Sequence, residues 1–218
     1  SDIQKARSDA KLNQGQNFSR LMSFAMYGPK SPATNLLTEA ELTNMNPQEL
    51  VDRIHNQNSY KHRILYYGPS SSKDLLATIN QYHQVPATLK DIPAGNEYAY
   101  LETPVTKVLV APYDAKQIYM AQISNLDKKY DPAIEPIRAL YDEYFGGGMN
   151  SIVFQEMRET RGLAYSAWAS IMPPSYLKYP YVLRTQIATQ NDKMIDAVTT
   201  FNDIINNMPE SEAAFKLA

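Results

Sequence analysis

Apolar positions along this chain change their period, and each period predicts an element. Phe18, Leu21, Met22, Ala25 and Met26 recur at helical spacing and predict a helix ended by Gly28-Pro29. Thr38 to Glu41 reads as a capping box. Asn46-Pro47-Gln48-Glu49 opens another helix, with Leu50, Val51 and Ile54 facing inward. Residues 1 to about 58 therefore read as helices and loops. The aromatic run "HRILYYG" (62–68) predicts a strand, and Ser71 or Ser72 caps a helix bearing Leu75, Leu76 and Ile79. Residues 85–104 are punctuated by prolines and read as a connector, with "EYAYLE" as one short strand.

"KVLVAPY" (107–113) and "KQIYMAQIS" (116–124) predict two strands of a hairpin, and residues 132–144 a helix containing Ile134, Ile137, Ala139 and Leu140. "LAYSAWASIM" and "YPYVLRTQIATQ" alternate with period two. In the second, Tyr181, Leu183 and Ile187 face one side while Val182, Arg184 and Gln186 face the other. Asp192 to Met208 is a helix with Ile195, Val198, Phe201, Ile204 and Ile205 inward. Strands near 62–67, 107–113, 117–124, 164–172 and 179–189 are expected to share one sheet, with helices 132–144, 149–161 and 192–208 on one face. The predicted class is α+β: a two-layer sandwich of one mixed or antiparallel sheet with helices on one face. The chain opens on a helix-like run without a cap and stops just after Ser211 offers a new one, so both ends read as cut from something longer.

Composition narrows the function classes. Lys and Arg number 21 against 23 Asp and Glu, with no long block of one sign, which argues against a nucleic-acid partner. Apolar runs are too short to span a bilayer, and residues 1–30 lack the pattern of a signal peptide. The chain has no cysteine, which excludes disulfides, thiolate metal sites and cysteine nucleophiles. A cysteine-free soluble protein suits periplasm and cytoplasm alike, so the compartment stays open. Sixteen tyrosines against one tryptophan fit half-buried strand positions.

Four of the eight glycines, Gly146, Gly147, Gly148 and Gly162, lie within or beside one charged segment. A phosphate loop would need Gly-Lys-Ser/Thr, or a strand before the glycines, and neither is present. A tight corner between two helices fits better, where glycine reaches φ > 0 and lets backbones pack closely. Asn150 or Ser151 caps the next helix, whose buried stripe is Val153 and Met157, with Phe154, Arg158 and Arg161 on an adjacent face. Gly162 occupies the left-handed position of a Schellman cap, with Leu163 folding back on Met157. Arg158, in the last turn, and Tyr165, in the departing strand, then emerge close together at one corner. On these grounds alone the structural readings lead: Arg158 offsets the negative end of the helix dipole, and Tyr165 is a core residue.

The continuous stretch "YFGGGMNSIVFQEMRETRGLAYS" resembles the signature of the insulinase/pitrilysin family of zinc metallopeptidases, which includes the mitochondrial processing peptidases. The order of elements from about 61 to 208 is similar to that family's repeated α+β domain. The resemblance implies two domains: 1–60 as the helical end of a preceding repeat, and 61–218 as a C-terminal-type metallopeptidase domain, truncated at its C-terminus. In such proteins two halves close over a peptide, and the N-terminal half carries zinc on an inverted His-x-x-Glu-His motif. Here the only histidines, His55, His62 and His83, lack that spacing and are expected at the surface or half-buried. The resemblance is thus to the metal-free half, with no metal ligand and no catalytic residue of its own in this chain and zinc implied for the missing N-terminal half. It implies that Arg158 and Tyr165 bind the substrate carbonyl near the scissile bond and stabilise its developing charge. The implied partners are that zinc-bearing half, in the same chain or a separate subunit, and a peptide substrate. The alternative is a non-catalytic scaffold or peptide-binding subunit of the same fold.

Overall fold

A computed structural model describes residues 2–218. The chain forms two compact units, one made of residues up to Asn35 together with Tyr98–Ala218, the other of Leu36–Glu97. The first begins with α1 (Asp2–Lys11) and α2 (Gln14–Tyr27), the latter capped by Asn13, whose side chain accepts from Gln16 N. The second holds α3 (Glu39–Asn44), α4 (Pro47–Gln57) and α5 (Ser72–Tyr82). The expected caps of all three are formed by Thr38, Asn46 and Ser71. Leu50, Val51 and Ile54 are nevertheless exposed, contrary to the inward face expected for α4. No residue from Leu36 to Glu97 is buried, so this unit offers its helices no core.

The sheet belongs to the first unit. It comprises β1 (Gln117–Lys129), β2 (Ser166–Met172) and β3 (Pro180–Gln190), antiparallel in the order β1-β3-β2. Met120 stands opposite Ile187, and Ile187 opposite Ala167, which puts all three on one face. Helices α6 (Glu135–Asp142), α7 (Ile152–Phe154) and α8 (Met194–Asn206) supply that face's cover, with α9 (Glu212–Leu217) ending the chain. Phe145, Ile152, Val153, Met157, Phe201 and Ile204 fill the core between the layers. This is the expected α+β sandwich, an antiparallel sheet with helices packed on its core face. An additional helix, α2, meets the opposite face, where Phe18 packs edge-on against Tyr119 at 5.6 Å.

Three expected strands are absent. Residues 62–67 and 107–113 join no ladder, and Leu65 is 92% and Val108 83% exposed. The expected hairpin is replaced by the pairing of β1 with β3 across a long connection, and "EYAYLE" likewise makes no strand. Apolar, β-branched composition makes a segment able to pair, but pairing needs a partner edge, and that lies outside the local sequence. In the helix before the glycines, the packed residues are Tyr141, Tyr144 and Phe145, while Ile137 points to solvent.

The outer edge of β2 is closed by side chains. Asp142 accepts from Ile171 N at 2.8 Å and from the Ser170 hydroxyl at 2.9 Å, and Arg138 Nη1 donates to Ile171 O at 3.0 Å. Arg138 is itself clamped between Asp142 at 2.6 Å and Glu135 at 3.0 Å. Glu135 accepts from the Tyr181 hydroxyl at 2.6 Å. Backbone groups that would otherwise invite another strand are thereby satisfied.

Candidate functional site

The helix after α6 widens before it turns. Residues 143–147 and 155–160 are π-helical, so two wide turns flank the glycine corner. None of Gly146, Gly147 and Gly148 has a positive φ, which corrects the expected reason for them. Their use is close approach. A methyl on Gly146 would collide with the backbone N, Cα and O of Ala169 in β2, and one on Gly147 would lie 2.8 Å from Asp142 O. Gly148 is extended and meets no such obstacle. Ser151 then caps α7: its hydroxyl accepts from Phe154 N at 3.4 Å and donates to Gly148 O at 2.6 Å.

Gly162 does adopt φ +57° and ends the helix in the left-handed position expected. Its N–H donates to Arg158 O at 3.1 Å, and Leu163 N donates to Met157 O at 2.9 Å. Both bonds reach one residue farther back than in an α-helical Schellman cap, because the turn being closed is a π turn. Lys193 Nζ donates to Gly162 O, and the buried Thr189 hydroxyl to Leu163 O, which ties the turn to the end of β3. Tyr165 N donates to Ala188 O at 2.8 Å and starts the departing strand.

This framework brings Arg158 and Tyr165 together. The Arg158 guanidinium lies 5.4 Å from the Tyr165 ring centre and 5.1 Å from that of Phe154. Tyr165 is 70% exposed, and the Arg158 side chain 45%. Arg158 Nε reaches Glu159 only at 3.6 Å, a half-exposed contact that contributes little. A guanidinium held between aromatic faces keeps its N–H donors, which lie in its own plane, available to an acceptor such as a peptide carbonyl. Below the pair, Val153 and Met157 are fully buried and fix the helix that carries Arg158. The sequence reading set Phe154 beside Arg158 without giving it a role; the i, i+4 spacing was the available signal.

His55 and His62 are exposed and His83 is half-buried, and all three stand in the other unit. Among the described residues, no group of three or more His, Cys, Asp or Glu side chains could hold a metal ion. No helix among them is long and apolar enough to cross a membrane.

The sequence profile described as "Peptidase M16 inactive domain" matches residues 63–215. No curated protein sequence matches the chain. Among solved structures the chain is similar to a peptidase M16 inactive domain from Pseudomonas fluorescens, at 17% identity and a TM-score of 0.60, covering 93% of this chain and 49% of that one. A conserved protein from Enterococcus faecalis V583 is similar at 17% identity and TM-score 0.58, over 99% of this chain and 51% of that one. A protease from Helicobacter pylori is similar at 12% identity and TM-score 0.52, over 83% and 45%. At these identities the structural likeness is one of fold, and the chain spans about half the length of each structure it matches.

Proposed function

The chain belongs to the peptidase M16 inactive domain family, and from that premise we propose that it serves as the metal-free half of a zinc-dependent peptidase. On this reading residues 61–218, of which the sequence profile matches 63–215, are the substrate-binding domain, and residues 1–60 are the helical end of a preceding repeat. Zinc belongs to the other half, where it supplies the hydrolytic chemistry. The contribution of this chain is to bind and polarise. The Arg158 guanidinium and the Tyr165 phenol donate to the peptide carbonyl beside the scissile bond, and their hold tightens as negative charge grows on that oxygen. Phe154 orients the guanidinium from its other face. The observation that carries the reading is the exposed Arg158–Tyr165 pair, seated on a buried framework at the end of the signature helix.

Reassembly with the zinc-bearing half tests it. Arg158→Ala and Tyr165→Phe are each expected to lower kcat by about 10²-fold, as loss of an oxyanion donor does. Melting temperature should stay nearly constant, since both side chains are exposed and such truncations cost within about 0.5 kcal/mol. Unchanged kcat in a well-folded variant removes that residue from the site. Unchanged peptide affinity with no measurable hydrolysis in the wild-type assembly identifies the scaffold alternative instead.

A further inference from the structure

His62 and His83 are 21 residues apart in sequence, yet their Nε2 atoms lie 2.7 Å from each other, with the rings edge-to-face at 4.9 Å. His62 Nδ1 lies 2.6 Å from Tyr60 O. A carbonyl can only accept, so Nδ1 carries the hydrogen and Nε2 turns its lone pair to His83. The His83 Nε2–H donates to it until a metal takes that hydrogen's place and His83 holds its own proton on Nδ1. An imidazole oriented by a backbone carbonyl, with the opposite nitrogen free to ligate, is the usual posture of a metal-binding histidine. His83 caps the C-terminus of α5, where its backbone N–H donates to Ile79 O at 2.7 Å. The neighbouring cation Lys61 is engaged by Asp91 at 2.5 Å.

A second observation gives such a site a purpose. The unit Leu36–Glu97 has no buried residue, and Leu65, Leu76 and Ile54 stand exposed on it. A unit with no buried side chain gains little from apolar burial, and an ion ligated by two of its segments adds stability of its own.

We propose that His62 and His83 form a two-histidine site for a divalent transition-metal ion, ligated through both Nε2 atoms, that clips the segment after Tyr60 to the end of α5. Metal–nitrogen bonds of about 2.0–2.1 Å at a tetrahedral angle require the two nitrogens to stand about 3.3 Å apart. Opening from 2.7 Å needs only a small rotation, chiefly of the exposed His62 ring against the half-buried His83. Imidazole nitrogen selects Zn²⁺, Cu²⁺ or Ni²⁺ over Mg²⁺ and Ca²⁺. With two protein ligands and no carboxylate partner the site holds an ion without performing hydrolysis. The proposal is independent of the role given to Arg158 and Tyr165.

The test is calorimetric titration of the tag-free full chain with zinc chloride, and with magnesium chloride as control. One Zn²⁺ per chain is expected, with no binding of Mg²⁺. His62→Gln and His83→Gln should each weaken zinc binding by about tenfold or more, and His55→Ala should leave it unchanged. In the unsubstituted protein, ¹⁵N spectra of the imidazoles should show the Nε2 signals of His62 and His83 moving together on zinc addition. Absence of zinc binding, binding that survives both substitutions, or shifts confined to His55 would each overturn the proposal.

Discussion

Gly146 and Gly162 show two separate reasons for a glycine within one short stretch. Gly162 is needed for its backbone: at φ +57° any side chain is strained, although open space surrounds it. Gly146 is needed for its lack of volume, because the backbone of Ala169 occupies the place a methyl would take. The obstacle is main chain in the middle of a sheet and cannot rotate away. Gly146→Ala is therefore expected to cost about 2 kcal/mol or more through overpacking, and Gly162→Ala about 1 kcal/mol through strain. Urea unfolding of both variants measures the two effects. The ordering matters most, since a larger loss at Gly162 would mean that the π turn at 143–147 and β2 separate easily.

At the scale of elements, the bond between α6 and β2 runs through Asp142, Arg138, Glu135 and Tyr181. Asp142→Ala leaves the Ile171 N–H without its acceptor and Arg138 with Glu135 alone as its ion-pair partner in a partly buried place, and should cost about 2 kcal/mol. The same cluster makes stability depend on pH. The Tyr181 hydroxyl first, and Arg138 next, hold the Glu135 carboxyl below the usual carboxylate range, against an opposing effect of burial. A carboxyl lowered on folding adds stability that is complete above the unfolded value of about 4.3 and is lost as pH falls through the folded one. Burial and Glu135 push the Tyr181 phenol up, so its contribution is complete below about pH 10 and is lost as pH rises beyond it. Melting temperatures from pH 7 down to 3 should fall less steeply in Glu135→Gln than in the unsubstituted protein. From pH 9 to 11 the same should hold for Tyr181→Phe. Parallel profiles would show that the cluster does not titrate with folding.

Across the whole molecule, burial is concentrated in one unit. The core between the sheet and α6–α8 holds the fully buried Phe201, Met157, Val153 and Ile187, whereas Leu36–Glu97 has no buried residue. Local opening follows buried contacts, so the two units should exchange amide hydrogens at very different rates. Peptides covering 62–82 are expected to exchange within seconds to minutes, and those covering β3 slowest of all. Hydrogen exchange followed by mass spectrometry reads this directly. Comparable protection in the two units would show that the second has cover beyond its own residues.

What the sequence determined by itself are features made within a few residues. The caps at Thr38, Asn46, Ser71 and Ser211, the left-handed Gly162, the alternation of β3 and the adjacency of Phe154 to Arg158 all rest on bonds or spacings inside one turn or strand. The nearness of Arg158 to Tyr165 was legible too, because a single helix cap lies between them. Tertiary structure alone decided which strand-forming segments find a partner: β1 joins β3, while 62–67 and 107–113 pair with nothing. It also decided the π turns, the closure of β2 by Asp142, the clearance that makes Gly146 necessary and the meeting of His62 with His83. Each of these depends on groups 20 or more residues apart or on the space between layers. A local pattern can supply a group able to interact, and only the folded chain supplies what it meets.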